Sequence, residues 1–420
     1  MHFTVNQLAF SANPFIPLFG QVLVKNKIFW ICLLGIVTAA DLEWKGEFRY
    51  RVESDKGMSN SDSLFNSGRN TFHYTRSRIS LRMVQGPITG FAQIQDSRLL
   101  GGEENLSGSS KPSGTKIEFH QVYFEIHNLL KRNWSMRFGR FELPLGGERL
   151  FSKTNWNNFG RSFEGMHSFG SNRIGRLDLF SLFIVERSNE YPSDEYDEVI
   201  NGLYFTKKRN FGLFKLLDLY MINEQTQSID LNRDPYRNTA GSRMFIKFLF
   251  LDIVSEFAYQ FGKWENGSLF MDIKSEMFVF NARIDLSMIP IVEMISFGKE
   301  NFTGFDSTLS NISGFANPYG AGHKYHGYYD NHTRFNDNFQ KGLDEWNVKT
   351  VFSLPGDFKL NVHYHDFKDG VHSDPLGTEL DLIFSKKLGF GGVLQQGFAR
   401  YWEDGGSQLD YSWLMLTFTL

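Results

Sequence analysis

After residue 41 the chain consists largely of segments in which apolar and polar side chains alternate. The clearest covers residues 75–84, where one face carries apolar side chains and the other carries arginines: Ile79, Leu81 and Met83 against Arg76, Arg78 and Arg82. Alternation with a period of two predicts a β-strand with two chemically different faces. Gly86-Pro87 predicts a tight turn, and residues 88–95 alternate again. A soluble sandwich would show the same period, so this hairpin alone does not decide the fold class.

Residues 133–165 join another alternating strand to a loop rich in Gly, Trp and Asn. The strand has an apolar face opposite Arg137, made by Trp134, Met136 and Phe138. Arg140 shares the parity of the apolar face, so we expect it beyond the end of the strand. The loop adds Arg149 and Arg161. A strand with an apolar face and an arginine face needs surroundings that are apolar on one side and wet on the other.

The alternation slips near His120 within residues 116–127, which predicts a β-bulge there. Further alternating segments bring the total to about eighteen strands, and outer-membrane barrels of single chains have even strand numbers. Short turns alternate with long connections, namely 54–71, 99–115, 144–162, 187–197, 224–240 and 301–343. Short periplasmic turns and long extracellular loops are typical of such barrels. The predicted fold is therefore all-β: a transmembrane antiparallel β-barrel.

The last residues alternate to the very end of the chain, with Leu414, Leu416, Phe418 and Leu420 on one face. A barrel must pair its last strand with its first to remove the exposed edge. A chain that stops in an alternating strand favours this closure. The ending is also similar to the signal that the outer-membrane assembly machinery recognises.

The N-terminal segment predicts export. Lys25 and Lys27 precede the apolar run 28–37, and small residues lead to Ala40. This pattern predicts a signal peptide over residues 1–40, cleaved near Ala40, followed by one barrel domain over 41–420. The only cysteine, Cys32, lies inside the signal, so the mature chain has no disulfide and no cysteine metal site.

Composition and charge narrow the function classes. Apolar residues make up 41% and charged residues 22%, which excludes a disordered chain and a helical membrane protein. Removing residues 1–40 takes away two lysines and no acid, so the net charge changes from −3 to −5. This balance argues against a nucleic-acid partner.

Arginines are the main candidates for functional residues. Nine basic residues and three acids lie between 131 and 176. The candidate pathway residues are Arg76, Arg78, Arg98, Arg137, Arg140, Arg149, Arg161, Glu125, Glu379 and Asp381. Inward arginines select anions because fixed cations lower the barrier for carboxylate or phosphate. The alternative is that they pair with nearby acids and only fill the lumen. Glu379 and Asp381 alternate with leucines and predict an acidic wall opposing the basic one, or an ordinary solvated face.

Histidines and sequence motifs give no sign of a catalytic or metal site. His323, His326 and His332 lie in one loop, and His363 and His365 share a strand face. Their spacing lacks a fixed carboxylate partner, so we expect hydrogen bonding rather than metal binding. No hydrolase, Walker or dinucleotide motif is present. The sequence predicts no cofactor and no enzyme activity.

Several of these segments together resemble the alginate-export family of outer-membrane porins. The matching segments are 46–53 (GEFRYRVE), 76–82 (RSRISLR), 90–98 (GFAQIQDSR), 119–126 (FHQVYFEI), 137–150 (RFGRFELPLGGERL), 156–165 (WNNFGRSFEG), 317–330 (NPYGAGHKYHGYYD) and 377–382 (GTELDL). The resemblance implies an eighteen-stranded monomeric barrel whose basic lumen passes an anionic uronate polysaccharide or smaller anions. By position it implies a constriction formed by Arg78, Arg98, Arg137, Arg140, Arg149 and Arg161.

The predicted function is thus a porin of the bacterial outer membrane, in contact with lipid, that passes anionic solutes. The alternative from another class is a plugged barrel that acts as an enzyme or adhesin through its long loops. A soluble secreted sandwich is a weaker third hypothesis.

Overall fold

The computed structural model describes residues 41–56, 70–100, 117–129, 133–186, 197–207, 213–227, 234–266, 269–330 and 341–420. The predicted signal peptide lies outside these residues. Eighteen long strands form one sheet: β1 (Asp41–Lys56), β2 (Asn70–Gln85), β3 (Ile88–Leu100), β4 (Ile117–Ile126), β5 (Trp134–Phe141), β6 (Phe163–Ser171), β7 (Arg176–Glu186), β8 (Asp197–Lys207), β9 (Phe214–Gln227), β10 (Asp234–Phe248), β11 (Leu251–Asn266), β12 (Leu269–Asp285), β13 (Val292–Phe302), β14 (Leu343–Leu354), β15 (Phe358–Lys368), β16 (Pro375–Lys387), β17 (Gly392–Glu403) and β18 (Gln408–Thr419).

The sheet closes on itself, which confirms the predicted barrel. Each long strand is antiparallel to the next, and β18 returns to pair with β1. Glu47 lies opposite Thr419, and the Leu420 N–H donates to the Gly46 carbonyl at 2.9 Å. Closure leaves neither terminal strand with an unpaired edge. No helix in the described part of the chain has the length and apolarity to cross a bilayer; the one present, α1 (Gly322–Tyr325), has four residues.

Burial of the two strand faces is the reverse of that in a water-soluble protein. On β2, Ile79 is 64% exposed on the outside, whereas Arg76 is 1% exposed inside. Trp44, Phe124 and Leu179 continue the exposed apolar surface on other strands. An apolar outer surface with a charged interior is stable only when hydrocarbon surrounds the barrel.

The predicted bulge is confirmed at His120. Gln93 lies opposite Gln121 and Ile94 opposite Phe119, so the extra residue on β4 has no cross-strand partner. His120 is buried, and its Nε2 lies 2.9 Å from the Glu142 carboxylate. The bulge therefore turns a polar side chain inward and restores the apolar face of the rest of β4.

Two long connections fold back into the barrel. Residues 142–162, here the first inserted loop, join β5 to β6. Residues 303–330, the second inserted loop, follow β13 and contain α1 and a two-residue strand, Asn311–Ile312. Their rings form a buried apolar cluster with inward strand residues, including Phe141, Phe151, Phe163, Phe180, Phe302 and Phe315. Both belong to long connections predicted on the extracellular side, and the inward position of the second loop corrects that prediction. For the first loop, the sequence already predicted that Arg149 and Arg161 reach the lumen.

Candidate functional site in the barrel lumen

Four buried arginines line one part of the inner wall, and we call them the arginine sector: Arg49 and Arg51 on β1, and Arg76 and Arg78 on β2. Arg49 lies opposite Arg76 in the strand register. The alternation that turns the apolar side chains of β1 and β2 outward turns all four guanidinium groups inward. Like charges this close need hydrogen-bond acceptors and counter-charges nearby.

Backbone carbonyls of the first inserted loop accept hydrogen bonds from all four arginines. Arg49 donates from Nη1 to the Asn155 carbonyl at 2.7 Å and from Nη2 to the Asn157 carbonyl at 2.9 Å. Arg51 Nη1 donates to the Trp156 carbonyl at 2.6 Å. Consecutive carbonyls of the loop thus cover the arginine sector.

Acidic side chains reach three of the four arginines. Arg76 pairs with Glu47 at 2.5 Å and Arg51 pairs with Glu53 at 2.6 Å. Arg78 lies 3.7 Å from Glu142 and donates to the Phe159 carbonyl at 3.1 Å. Arg49 has no carboxylate within ion-pair distance among the described residues, so neutral acceptors carry its hydrogen bonds.

The two inserted loops are tied to each other inside the barrel. The Ser152 N–H donates to the Tyr319 carbonyl at 2.9 Å, and Ala321 N–H donates to the Glu148 carbonyl at 3.0 Å. Trp156 stacks on His323 with ring centroids 4.1 Å apart. The first inserted loop is therefore bound to the arginines on one side and to the second inserted loop on the other.

Arg149 anchors the first inserted loop to a distant part of the wall. Its Nη2 donates to Glu300 Oε1 on β13 at 2.6 Å, and its guanidinium lies 3.6 Å from the centre of the Tyr325 ring. Burial alone would lower the pKa of Arg149, but Glu300 and Tyr325 outweigh it and the net shift is upward. Arg149 is thus a cation whose charge is paired with Glu300 and whose role is to anchor the loop.

The acids predicted near the end of the sequence lie in the lumen among histidines. We call Glu345 on β14, His363 and His365 on β15, and Glu379 and Asp381 on β16 the acid–histidine sector. Only β17 and β18 separate it from β1 in the sheet. The arginine sector and the acid–histidine sector are therefore neighbours in the barrel wall. The sequence had instead predicted that the two charged walls lie on opposite sides.

Backbone and imidazole groups hold these acids in place. Glu379 Oε1 accepts the N–H groups of Tyr328 and Tyr329 at 2.7 and 2.8 Å. Glu345 lies between two histidines, 2.7 Å from His365 Nδ1 and 2.5 Å from His326 Nδ1. The second inserted loop therefore contacts the acid–histidine sector as the first contacts the arginines.

Arg137 and Glu125 face the lumen as a pair. Arg137 Nη2 donates to Glu125 at 2.7 Å, and its guanidinium lies 4.4 Å from the Tyr123 ring centre. The guanidinium of Arg161, at the end of the first inserted loop, lies 5.8 Å from the centre of the Tyr319 ring. Burial lowers the pKa of Arg161, because exclusion of water disfavours its charged form. Its Nη1 has no hydrogen-bond partner in the described structure.

Two predicted pathway residues lie on the outer surface, which corrects their assignment to the lumen. Arg98 has the parity of Ile94 on β3 and pairs with Asp96 at 2.9 Å. Arg140 is within β5, not beyond its end, because pairing continues to Phe141. It contacts Glu164 at 2.8 Å beside an outer groove of about 760 Å³.

Arg49 and Arg51 were not among the candidate residues predicted from the sequence. The alternating pattern could have identified them, because both alternate with Phe48, Tyr50 and Val52 as the arginines of β2 alternate with aliphatic residues. Their importance depends on the pairing of β1 with β2, which brings all four arginines together.

The geometry can be compared with known proteins. The sequence profile of the alginate export family matches residues 41–381. The chain belongs to this family. The family and its structural neighbours are channels rather than enzymes, so the chain is a porin-type channel protein of the bacterial outer membrane. No match was found among curated proteins.

Solved porins share the fold at low sequence identity. A BenF-like porin from Pseudomonas fluorescens Pf-5 has a TM-score of 0.60 and 13% identity, covering 90% of this chain and 98% of that one. Pseudomonas aeruginosa OccK2 (OpdF), in complex with glucuronate, has a TM-score of 0.57 and 12% identity over 90% and 98% of the two chains. Pseudomonas aeruginosa OpdK with vanillate has a TM-score of 0.54 and 11% identity over the same shares.

Proposed function

We propose that this member of the family passes anionic solutes, with uronate sugars or an alginate-like polysaccharide as the substrate class. The observation that carries the proposal is Arg49, a buried lumen cation whose hydrogen bonds go to the neutral groups of Asn155, Asn157 and Asn158. A carboxylate is a stronger acceptor for a guanidinium than a carbonyl or an amide is. The arginine sector is thus suited to a carboxylate that takes the place of the loop carbonyls.

Transport by this mechanism requires the first inserted loop to give way. Each carbonyl that leaves an arginine is replaced by a carboxylate of the solute, so no guanidinium loses its acceptor. Several arginines in succession allow an anion to move from one to the next, because binding at any one of them need not be tight. Two neighbouring porins are described in complex with glucuronate and with vanillate, both of which carry a carboxylate.

Planar-bilayer recording of the purified barrel across a KCl gradient tests the proposal. We expect a reversal potential that shows preference for chloride, and a current that is reduced by an oligo-uronate but not by a neutral oligosaccharide of equal length. Arg49→Gln combined with Arg76→Gln should reduce both effects.

Matched controls come from the arginines on the outer surface. Arg98→Gln combined with Arg140→Gln removes the same charge without touching the lumen and should leave selectivity unchanged. A wild-type barrel that shows no conductance steps, or that prefers potassium, would contradict the proposal. Absence of conductance in a barrel that is shown to be folded would also favour the alternative function, a plugged barrel.

A further inference from the structure

Unsatisfied lone pairs converge where β15 and β16 face the lumen. His365 and Asp381 are both completely buried. His365 Nε2 lies 3.6 Å from Asp381 Oδ2. Neither this nitrogen nor either oxygen of Asp381 has an N–H or hydroxyl partner within the described structure. Among side chains, only a proton shared with the neighbouring Glu379 carboxyl would satisfy Asp381. Buried polar atoms without such partners are rare and point to a bound water, a bound ion or a proton shared between two acids.

Glu345 determines which nitrogen of His365 is free. Its Oε1 lies 2.7 Å from His365 Nδ1, and because a carboxylate only accepts, that nitrogen carries the proton. In its neutral form the ring presents the lone pair of Nε2 toward Asp381. A separation of 3.6 Å is too long for a hydrogen bond between them. A carboxylate that orients a histidine in this way is the usual partner of a metal-binding imidazole.

A third donor lies beside the pair. His363 Nδ1 is 4.0 Å from Asp381 Oδ2, and His363 lies opposite Asp381 in the strand register. The three donor atoms lie within 4.8 Å of one another. Ligands bound to a single ion at about 2.0–2.2 Å are roughly 3–4 Å apart, so small side-chain adjustments suffice.

The charges around the three residues also favour a cation. Glu300, Glu345, Glu379 and Asp381 are buried together, against two basic side chains, Arg149 and Lys349. Arg149 is engaged by Glu300, and Lys349 Nζ donates to the Tyr325 carbonyl at 3.0 Å. The Lys349 charge opposes a bound cation, but four carboxyl groups face two bases, and a divalent ion can take the place of the proton that Glu379 and Asp381 share.

We propose that His363, His365 and Asp381 bind one divalent transition-metal ion of the zinc type, with Glu345 orienting His365. Two imidazoles and a carboxylate favour Zn²⁺, Co²⁺ or Ni²⁺ over Ca²⁺ or Mg²⁺, which prefer oxygen ligands. Three protein ligands leave coordination positions open to water or to a carboxylate in the lumen. The site goes beyond the channel function and does not depend on it.

Cobalt spectroscopy tests the site directly. The purified barrel is treated with a chelator, dialysed and titrated with CoCl₂, then with ZnCl₂. We expect visible absorption bands that saturate at one Co²⁺ per chain and disappear on addition of one Zn²⁺. Asp381→Asn and His365→Gln should abolish the bands.

Two control variants distinguish this site from other histidines. His73→Gln alters an exposed histidine of β2, and His372→Gln alters an exposed histidine that lies beside Asp369 and Asp374. Both should bind Co²⁺ like the wild type.

The proposal is overturned if the wild-type barrel binds no Co²⁺, or if Asp381→Asn binds it unchanged. Heat-modifiable mobility shows whether each variant is folded. If Asp381→Asn does not fold, His363→Gln decides in its place, because that side chain is 15% exposed and tolerates replacement more readily.

Discussion

The arginine sector and the acid–histidine sector are both buried, charged and covered by an inserted loop, but their hydrogen bonding differs. In the arginine sector most donors find acceptors, and only Nε of Arg49 and of Arg51 lacks one among the described residues. In the acid–histidine sector both oxygens of Asp381, Oε2 of Glu379 and Nε2 of His365 lack an N–H or hydroxyl partner among the described residues.

The difference follows from what a loop can offer. A backbone carbonyl is a good acceptor for arginine, and successive carbonyls match a row of guanidinium groups. The second inserted loop has few cations that could pair with the acids. Among the acids of this sector, its backbone N–H groups donate to Glu379 alone in the described structure. The arginine sector is therefore covered by the chain itself, whereas the acid–histidine sector retains lone pairs that suit a cation.

The largest effect is expected from breaking the link between Arg149 and Glu300. Glu300→Gln leaves Arg149 buried without its carboxylate, which should lower the free energy of unfolding by about 3–5 kcal/mol. Urea unfolding of the barrel in lipid measures the change. Glu293→Gln, on the same strand but in a partly exposed pair with Lys359, should cost less than about 1 kcal/mol. Equal losses in the two variants would show that Arg149 is not a buried anchor.

An intermediate effect is expected at Trp156, which holds the cover over the arginines. Its ring lies 4.6 Å from the Arg51 guanidinium and stacks on His323. Trp156→Ala should remove roughly 2–3 kcal/mol of ring-stacking and cation–π contact that stabilises the loop in its inserted position. We therefore expect a higher single-channel conductance. Trp44→Ala, on the outer face, is the control. Conductance that stays at the wild-type level would show that the loop does not limit the current.

The smallest effect is expected outside both sectors. Arg140→Gln removes an ion pair with Glu164 that is more than one third exposed, so the cost should be about 0.2–1 kcal/mol. The reversal potential in a salt gradient should not change. A shift in selectivity would mean that Arg140 reaches the pathway despite its position on the outer face.

Local alternation predicted the strands and the bulge well. The period of two placed Arg76, Arg78 and Arg137 on inward faces, and the slip in the pattern located the bulge at His120. The same rule, applied through the end of the strand, would have turned Arg98 and Arg140 outward. These features depend on neighbours in sequence, and the sequence contains them.

The sequence by itself determined the closed barrel, because only a closed sheet can present apolar residues to lipid and leave no strand edge unpaired. Tertiary structure alone decided the contents of the lumen. Arg149 meets Glu300 across 151 positions, and Trp156 of the first inserted loop stacks on His323 of the second. Contacts this distant depend on how loops pack inside the barrel, and no local period records that packing.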